Sequence, residues 1–271
     1  MSSTQNGEEP GAMMAGRSVL ITGVGPDLGR AITLAAARAG ADVVLVARTA
    51  ARLEEIAKEV TALGRRAVTV AADITKPDDA ERIVATALDA FGRIDAVVHN
   101  AFAMPPMTTL AETPLKSVRT AFDVNVLAVM ELTRLLTPTL ASSPGGGSVV
   151  MINSAVLRHS RSGYAGYKMA KSALLSLAQS LATELGPSGV RVNSVAPGWI
   201  WGSTLQWYFG YQAEQRGVSR DVVYAETADL TDLKRLPEPD DIANAVVFLA
   251  SPLARAITGQ CLDVNCGEFH H

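Results

Sequence analysis

The sequence predicts an α/β fold in one domain, a doubly wound parallel sheet of about seven strands with helices on both faces. Two observations indicate it. The chain has 271 residues, of which 48% are apolar and 19% charged, the composition of a globular chain long enough to bury a large core. Short Val- and Ile-rich runs also alternate with helical patterns, as expected for parallel strands joined by covering helices.

Each element follows from this alternation in chain order. Strands are predicted for the short apolar runs at 17–22, 41–47, 66–72, 94–100, 147–153, 189–196 and 260–265. Helices are predicted near 28–39, 50–63, 77–91, 115–140, 165–185 and 239–250. No internal repeat or interdomain linker interrupts this order.

The stretch from Pro197 to about Pro237 breaks the alternation. It is rich in aromatic residues and shows no clear strand. A long insertion after a strand end is more often functional than idle, so we expect a lid at about 199–236.

Charge and hydropathy exclude several classes of protein. A net charge of −3 without a basic stripe argues against a nucleic-acid partner. Residues 1–15 are polar and lack the basic start and apolar run of a signal peptide, so we expect a disordered tail before a domain at 16–271. Arg38, Asp42 and Arg48 interrupt the most hydrophobic region, which predicts that no segment spans a membrane.

The two cysteines, Cys261 and Cys266, form neither a disulfide framework nor a metal-binding pattern. We expect them to be small apolar residues near a C-terminal strand. This cysteine usage suits a reducing compartment and predicts a cytoplasmic protein without a metal site.

Ser154, Tyr167 and Lys171 bring a hydroxyl, a phenol and an ammonium group into one short stretch. Tyr167 and Lys171 are four residues apart in a helical pattern, so they lie one turn apart on the same face. A protonated lysine beside a phenol lowers the phenol's pKa from about 10 towards the range of an acid/base catalyst. Tyr164 and Lys168 have the same spacing, so the pair alone leaves two registers open, and an ordinary solvated helix face is a third alternative.

The run RSVLITGVGPDLGRAI at 17–32 joins a strand, a glycine-bearing turn and a helix start. A dinucleotide site requires this context, because backbone N–H groups and a helix N-terminus face the diphosphate.

At the end of the second strand, Arg48 favours the 2′-phosphate of NADP, whereas an acidic residue would favour NAD. An arginine that is simply solvated is the alternative.

From about residue 17 to 265 the chain resembles the short-chain dehydrogenase/reductase family. The resemblance is carried by the step from Ser154 to Tyr167 and by the gapless run from Lys171 through ELGPSGVRVNSVAPG. This spacing selects Tyr167 rather than Tyr164. The resemblance implies a Rossmann fold, a nicotinamide cofactor and four catalytic positions, Asn125, Ser154, Tyr167 and Lys171.

The resemblance also implies a role for each of these residues. Ser154 would hydrogen-bond the substrate oxygen, and Tyr167 would give or take the proton. Lys171 would tune Tyr167 and hold the nicotinamide ribose. Asn125 would help to hold a water in a proton relay.

Cofactor contacts are implied in the glycine-bearing turn, at the ends of the next three strands, at the catalytic pair and in the Pro-Gly turn after the sixth strand. These residues are Gly23, Asp27, Leu28, Gly29, Arg48, Asp73, Ile74, Asn100, Ala101, Tyr167, Lys171, Pro197, Gly198 and Ile200.

The chain departs from the family's motifs at several positions. Asp27 replaces the middle glycine of Thr-Gly-x-x-x-Gly-x-Gly, and Gly202 stands where a threonine is usual. An aspartate at this point could cap the helix that follows it or repel a phosphate. His99 and Phe102 flank the matching Asn-Ala pair, and we expect His99 to be a packed strand-end residue without a catalytic role.

The sequence therefore predicts an oxidoreductase that transfers a hydride between NADP(H), with NAD as the alternative, and a hydrophobic ketone or secondary alcohol. Aromatic surface is costly to leave in water, so the lid should line the pocket opposite Met104 and Met107. The predicted pocket residues are Ser154, Trp199, Trp201, Leu205 and Trp207.

Helices 115–140 and 165–185 carry apolar residues on more than one face, which predicts a homodimer or homotetramer.

Two other functions remain open. An epimerase or dehydratase could use the same fold and cofactor. A non-catalytic protein could sense the cofactor or bind a partner, and Asp27 is the residue that would favour it.

Overall fold

The computed structural model describes residues 13–270, and a seven-stranded parallel sheet in the order β3-β2-β1-β4-β5-β6-β7 runs through its centre. The strands are β1 (Ser18–Thr22), β2 (Asp42–Ala47), β3 (Ala67–Ala71), β4 (Ala96–His99), β5 (Ser148–Ile152), β6 (Arg191–Pro197) and β7 (Cys261–Val264). Each lies within its predicted range or one residue beyond it, so the predicted sheet is confirmed.

Helices cover both faces of the sheet. They are α1 (Leu28–Arg38), α2 (Ala50–Ala62), α3 (Pro77–Phe91), α4 (Leu115–Phe122), α5 (Ala128–Ala141), α6 (Ala165–Leu185), α7 (Ser203–Arg216), α8 (Arg220–Ala228) and α9 (Pro239–Ala250). A π-helical segment, Asp123–Leu127, joins α4 to α5. The predicted helix 115–140 therefore exists, with a local widening in its middle.

Alternate residues of each strand face opposite layers of helices. In β1, Ile21 packs in the core beneath α1, α2 and α9, whereas Leu20 packs in the core beneath α3, α5 and α6. Val43 and Val44 in β2 divide in the same way. Because both faces are buried, these strands appear in the sequence as continuous apolar runs.

The strand order reverses beside β1, which pairs with β2 on one side and with β4 on the other. Thr22 and His99 are aligned at the carboxyl ends of β1 and β4. Open α/β sheets bind ligands in the crevice at such a point. The fold thus places the ends of β1, β4 and β5 around one candidate site.

The lid contains two helices, α7 and α8, that the sequence pattern did not predict. Their apolar side chains form a small core of their own, made by Phe209, Ala213, Val223, Ala228 and Leu236. Aromatic residues lie on several sides of α7, so no simple helical periodicity stands out in its sequence.

The predicted disordered tail needs one correction. Met14 is buried in the core, and its amide donates to the carbonyl oxygen of Ala39 at 2.8 Å. Met13 and Met14 are therefore packed against the domain, whereas Ala15 is exposed. The rest of the predicted tail, 1–12, lies outside the described residues.

One continuous helix, Leu115–Ala141, is long and apolar enough to cross a membrane by length and composition alone. Its Leu132, Leu136 and Leu140 are fully buried in the core beneath the sheet, and Glu131 and Arg134 form an ion pair on its outer side. A buried core helix of a globular domain can have the same length and apolar composition. We therefore interpret Leu115–Ala141 as a core helix.

Candidate active site

Ser154 and Tyr167 meet beyond the carboxyl end of β5. The Ser154 hydroxyl caps a short 3₁₀ helix by accepting a hydrogen bond from the Val156 amide at 3.2 Å. Tyr167 lies in the first turn of α6, where its side chain is buried and shares a hydrogen bond with Ser154. A phenol and a hydroxyl are thus joined at the edge of the sheet where ligands bind.

Lys171 lies one turn after Tyr167 on α6 and is only 2% exposed. Its Nζ donates to the carbonyl oxygen of Ile152 at 2.7 Å, and it lies 5.8 Å from the centre of the Tyr167 ring. The helix therefore places both side chains on the face that packs against the end of β5.

Burial shifts the pKa values of both members of this pair. Burial raises the pKa of Tyr167 to about 12, and the hydrogen bond with Ser154 opposes this rise only in part. Burial also lowers the pKa of Lys171 to about 7, so this lysine is only partly charged near neutral pH. The effect of Lys171 on the pKa of Tyr167 stays a prediction.

The second tyrosine–lysine pair makes other contacts. Lys168 Nζ donates to Ser160 Oγ at 2.9 Å and to the carbonyl oxygen of His159. The Tyr164 ring packs edge-on against the His159 ring at 5.7 Å between centres. The hydrogen bond to Ser154 is made by Tyr167, the tyrosine that the spacing selected.

Asn125 lies in the π-helical segment, a feature often found at functional sites. Its side chain is buried and pairs with the backbone of Ala103, accepting at 3.0 Å and donating at 2.7 Å. These two bonds fix the loop after β4 to the long helix. Because the side chain is used in this way, a water relay at Asn125 would depend on its main-chain carbonyl.

Gly23 and Gly29 shape the turn between β1 and α1. Gly23 has a φ of +69°, and a Cβ there would lie 2.5 Å from the Cα of Ala101. A Cβ on Gly29 would lie 2.6 Å from the carbonyl oxygen of Gly23. Asn100 Nδ2 donates to that same oxygen at 2.8 Å and ties the turn to β4. Only glycine fits these positions, and the resulting cradle at the start of α1 suits a dinucleotide diphosphate.

Asp27 caps a helix, but not the one that follows it. Its carboxylate makes no side-chain cap to α1 and instead accepts hydrogen bonds at the N-terminus of α7, from Ser203 and Thr204. The expectation that it caps the following helix was therefore wrong.

Arg48 and Asp73 lie near one another at the carboxyl ends of β2 and β3. Asp73 accepts from the amide and hydroxyl of Thr75 at 3.1 and 2.8 Å. These bonds lower the pKa of Asp73, with a smaller contribution from the charge of Arg48. Ile74 is buried beside them, whereas Arg48 is exposed. Arg48 is therefore accessible to a ligand phosphate.

The Pro-Gly turn after β6 packs against the C-terminal segment. A Cβ on Gly198 would lie 3.3 Å from Glu268 Oε2, and Trp199 Nε1 donates to Glu268 Oε1 at 3.1 Å. Arg161 pairs with the same carboxylate at 3.5 Å. Burial raises the pKa of Glu268. Ile200 packs against the core beneath α1.

Three of the predicted pocket residues make their contacts within the lid. Trp201 and Leu205 pack against the lid's own core, with the Trp201 ring 5.6 Å from that of Phe209. Trp207 is 72% exposed and stacks on Tyr211. The pocket lined by Ser154, Trp199, Trp201, Leu205 and Trp207 stays a prediction.

Two residues at the site were missed by the sequence analysis. Phe102 is 59% exposed, and its ring centre lies 6.0 Å from Lys171 Nζ. The family's segment at this place reads Asn-Asn-Ala-Gly, and this chain has Phe102 where the glycine is usual. That departure was the sequence signal for a role of Phe102. Glu268 was not foreseen, because no local pattern links the C-terminal segment to the Pro-Gly turn.

His99 and the cysteines have no direct part in this arrangement. His99 is buried, its Nε2 is 2.9 Å from Thr133 Oγ1, and burial lowers its pKa to about 3, so it is a neutral packed residue. Burial raises the pKa of the Cys261 thiol to about 11. Within residues 13–270, no group of three or more His, Cys, Asp or Glu side chains could hold a metal ion.

The chain is similar to known oxidoreductases. A family model described as enoyl-(acyl carrier protein) reductase matches residues 23–268. An uncharacterized oxidoreductase of Mycobacterium tuberculosis is 40% identical over 92% of this chain and 90% of its own length. The 7α-hydroxysteroid dehydrogenase of Escherichia coli K12 is 31% identical over 93% and 94%. The structure of L-sorbose reductase from Gluconobacter frateurii with NADPH and L-sorbose has a TM-score of 0.90 at 28% identity, covering 96% of this chain and 99% of that one.

Proposed function

The chain belongs to the short-chain dehydrogenase/reductase family of NAD(P)-dependent oxidoreductases, and we propose that it transfers a hydride between NADP(H) and a hydrophobic ketone or secondary alcohol. Tyr167 acts as the general acid/base. One observation carries this proposal: a buried tyrosine shares a hydrogen bond with Ser154, and Lys171 is anchored one turn behind it. The group lies at the carboxyl edge of a parallel sheet, beside a glycine cradle.

When bound, the nicotinamide ring supplies or accepts the hydride. Gly23 and Gly29 leave room for the diphosphate, and Arg48 is available to a 2′-phosphate. Ser154 orients the substrate oxygen, and Tyr167 donates its proton to that oxygen during reduction. Because burial raises the pKa of Tyr167, the phenol is protonated at neutral pH, which suits a proton donor.

The surface beside Lys171 supports a hydrophobic substrate. Phe102, Met104 and Met107 follow β4 and are all exposed. Two of the three relatives named above act on different classes of molecule, a steroid for the Escherichia coli dehydrogenase and a sugar for the Gluconobacter frateurii reductase. The exposed ring of Phe102, 6.0 Å from Lys171 Nζ, favours the bulkier and less polar class for this chain.

Exposed apolar side chains support a homodimer or homotetramer. Leu115, Leu127 and Met130 on the long helix and Met169 on α6 are each at least half exposed. Such a set on neighbouring helices is typical of a surface that another copy covers. We further propose a cytoplasmic location.

The test compares two tyrosines on the same helix turn. Tyr167→Phe should abolish nearly all turnover while sparing cofactor affinity, because only the phenolic proton is lost. Tyr164→Phe is the matched control and should keep most of the activity. Steady-state kinetics and calorimetric titration with NADPH measure the two effects. Loss of turnover in Tyr164→Phe alone would contradict the assignment.

A further inference from the structure

Two departures from the family's motifs touch each other in the folded chain. Asp27 stands in the glycine-rich turn, and its carboxylate accepts from the amide of Ser203 at 3.1 Å and from its hydroxyl at 2.9 Å. The amide and hydroxyl of Thr204 are each 3.4 Å from Asp27 Oδ2. We call these contacts the clasp. They join the turn to the first turn of α7 across 176 residues of sequence.

The second departure makes room for the first. A Cβ on Gly202 would lie 3.0 Å from Asp27 Cγ and 3.1 Å from Asp27 Oδ2. Any larger residue at 202 would crowd the carboxylate, so Asp27 and Gly202 fit as a pair.

The clasp connects two units that otherwise have separate cores. The lid core is distinct from the two cores that flank the sheet. A carboxylate at a helix N-terminus is stabilised by the unpaired amides and by the helix dipole. The clasp therefore holds the start of α7 against the glycine-rich turn.

The same turn is the place for the cofactor's diphosphate. Asp27 directly precedes α1, whose N-terminus and glycine cradle suit that group. A diphosphate brought there would place negative charge beside the Asp27 carboxylate, and like charges repel strongly where solvent is partly excluded.

We propose that Asp27 is a positioning residue, that its clasp holds the lid on the glycine-rich turn, and that the cofactor's diphosphate competes with the clasp. This inference rests on the proposed function, because it requires a dinucleotide at the turn. Coupling between two sites is reciprocal, so whatever weakens the clasp tightens cofactor binding, and cofactor binding frees the start of α7.

Lid release can be measured without turnover. All three tryptophans, Trp199, Trp201 and Trp207, lie in the lid, so intrinsic fluorescence reports on this segment alone. Arg216 and Arg220 are exposed within it and provide sites for trypsin, whose fragments mass spectrometry identifies. Calorimetric titration with NADPH, NADH and inorganic pyrophosphate measures the competition.

Asp27→Gly should speed tryptic cleavage in the lid and tighten NADPH binding, each by about fivefold or more, the lower end of typical site-to-site coupling. Asp27→Asn should keep the lid protected, because asparagine caps a helix about as well as aspartate, yet it should still bind NADPH more tightly without the charge. In wild-type protein, NADPH should shift the tryptophan emission and speed lid cleavage.

Ser219→Ala is the matched control, because Ser219 caps α8 within the lid and does not touch the turn. It should speed cleavage and leave NADPH affinity unchanged. Weaker NADPH binding in Asp27→Gly, or unchanged lid cleavage, would overturn the inference. If neither wild-type protein nor any variant binds a dinucleotide, the proposed function fails instead, while the proteolysis still tests the clasp.

Discussion

Replacing the buried lysine of the site should stabilise the protein while destroying its activity. Lys171 is 2% exposed, and burial lowers its pKa from 10.5 to about 7. The unfolded chain binds this proton at any pH below 10.5, whereas the folded chain binds it only below about 7. The free energy of unfolding therefore decreases as the pH falls from 10.5 to 7, and the full penalty is present below pH 7.

The size of the effect follows from this pKa difference. At about 1.4 kcal/mol for each pH unit, the penalty approaches about 5 kcal/mol at pH 7. Lys171→Met removes it and keeps most of the side-chain volume, but also removes the donor to the Ile152 carbonyl oxygen, at a cost of about 1–3 kcal/mol. We expect a net gain of about 2–4 kcal/mol at pH 7, which becomes a net loss of up to about 2 kcal/mol at pH 10, because the burial penalty has then nearly gone while the donor is still missing.

Denaturant unfolding followed by circular dichroism at pH 7 and pH 10 checks this expectation. Lys168→Met is the control, because it removes the same charge from a half-buried position on the same helix. The difference in free energy of unfolding between Lys168→Met and wild type should be similar at pH 7 and pH 10. A Lys171→Met protein that is less stable than wild type at pH 7, or equally shifted at both pH values, would refute the reasoning.

Three further outcomes are expected. Arg48→Asp should weaken NADPH binding and shift preference towards NADH, because a carboxylate repels the 2′-phosphate; a wild-type preference for NADH in calorimetry would contradict the role of Arg48. Light scattering at micromolar concentration should give the mass of a dimer or tetramer, and a monomer mass would show that the exposed apolar helix faces have another use. A bulky hydrophobic ketone should exceed a small sugar in kcat/KM by more than about tenfold, the discrimination that one methylene group in a fitted pocket can give. An equal kcat/KM for the sugar would contradict the assignment of a hydrophobic substrate.

The sheet and the glycine cradle could be predicted because their causes are local. Strands buried on both faces must be continuous apolar runs, and β1, β2 and β5 are such runs. Gly23 and Gly29 are required by backbone contacts within one strand–turn–helix unit and its neighbour. The pair Ser154 and Tyr167 could be named before the structure was known because its spacing resembles that of the short-chain dehydrogenase/reductase family.

What could not be predicted depends on contacts distant in sequence. The pKa of Tyr167 is set by how deeply α6 packs, which no spacing reveals. Helices α7 and α8 were missed because their apolar residues serve a small local core rather than one stripe against the sheet. Ser203, which donates to Asp27, lies 176 residues further along the chain. The sequence therefore did not reveal that Asp27 and Gly202 fit together.

These contacts decide between a catalytic and a non-catalytic protein. Asp27 was the residue that favoured a non-catalytic protein, one that senses the cofactor or binds a partner. In the structure its carboxylate caps α7 and fits against Gly202, so its presence has a structural cause that leaves the glycine cradle intact. Lys171 favours a catalytic protein, because a buried lysine beside a tyrosine lowers the stability of the fold and an apolar side chain would not. Strain of this kind persists where a reaction needs it. A protein that only sensed a dinucleotide would have no need for the buried amine, the phenol and the serine together, which is why the catalytic function is the better conclusion.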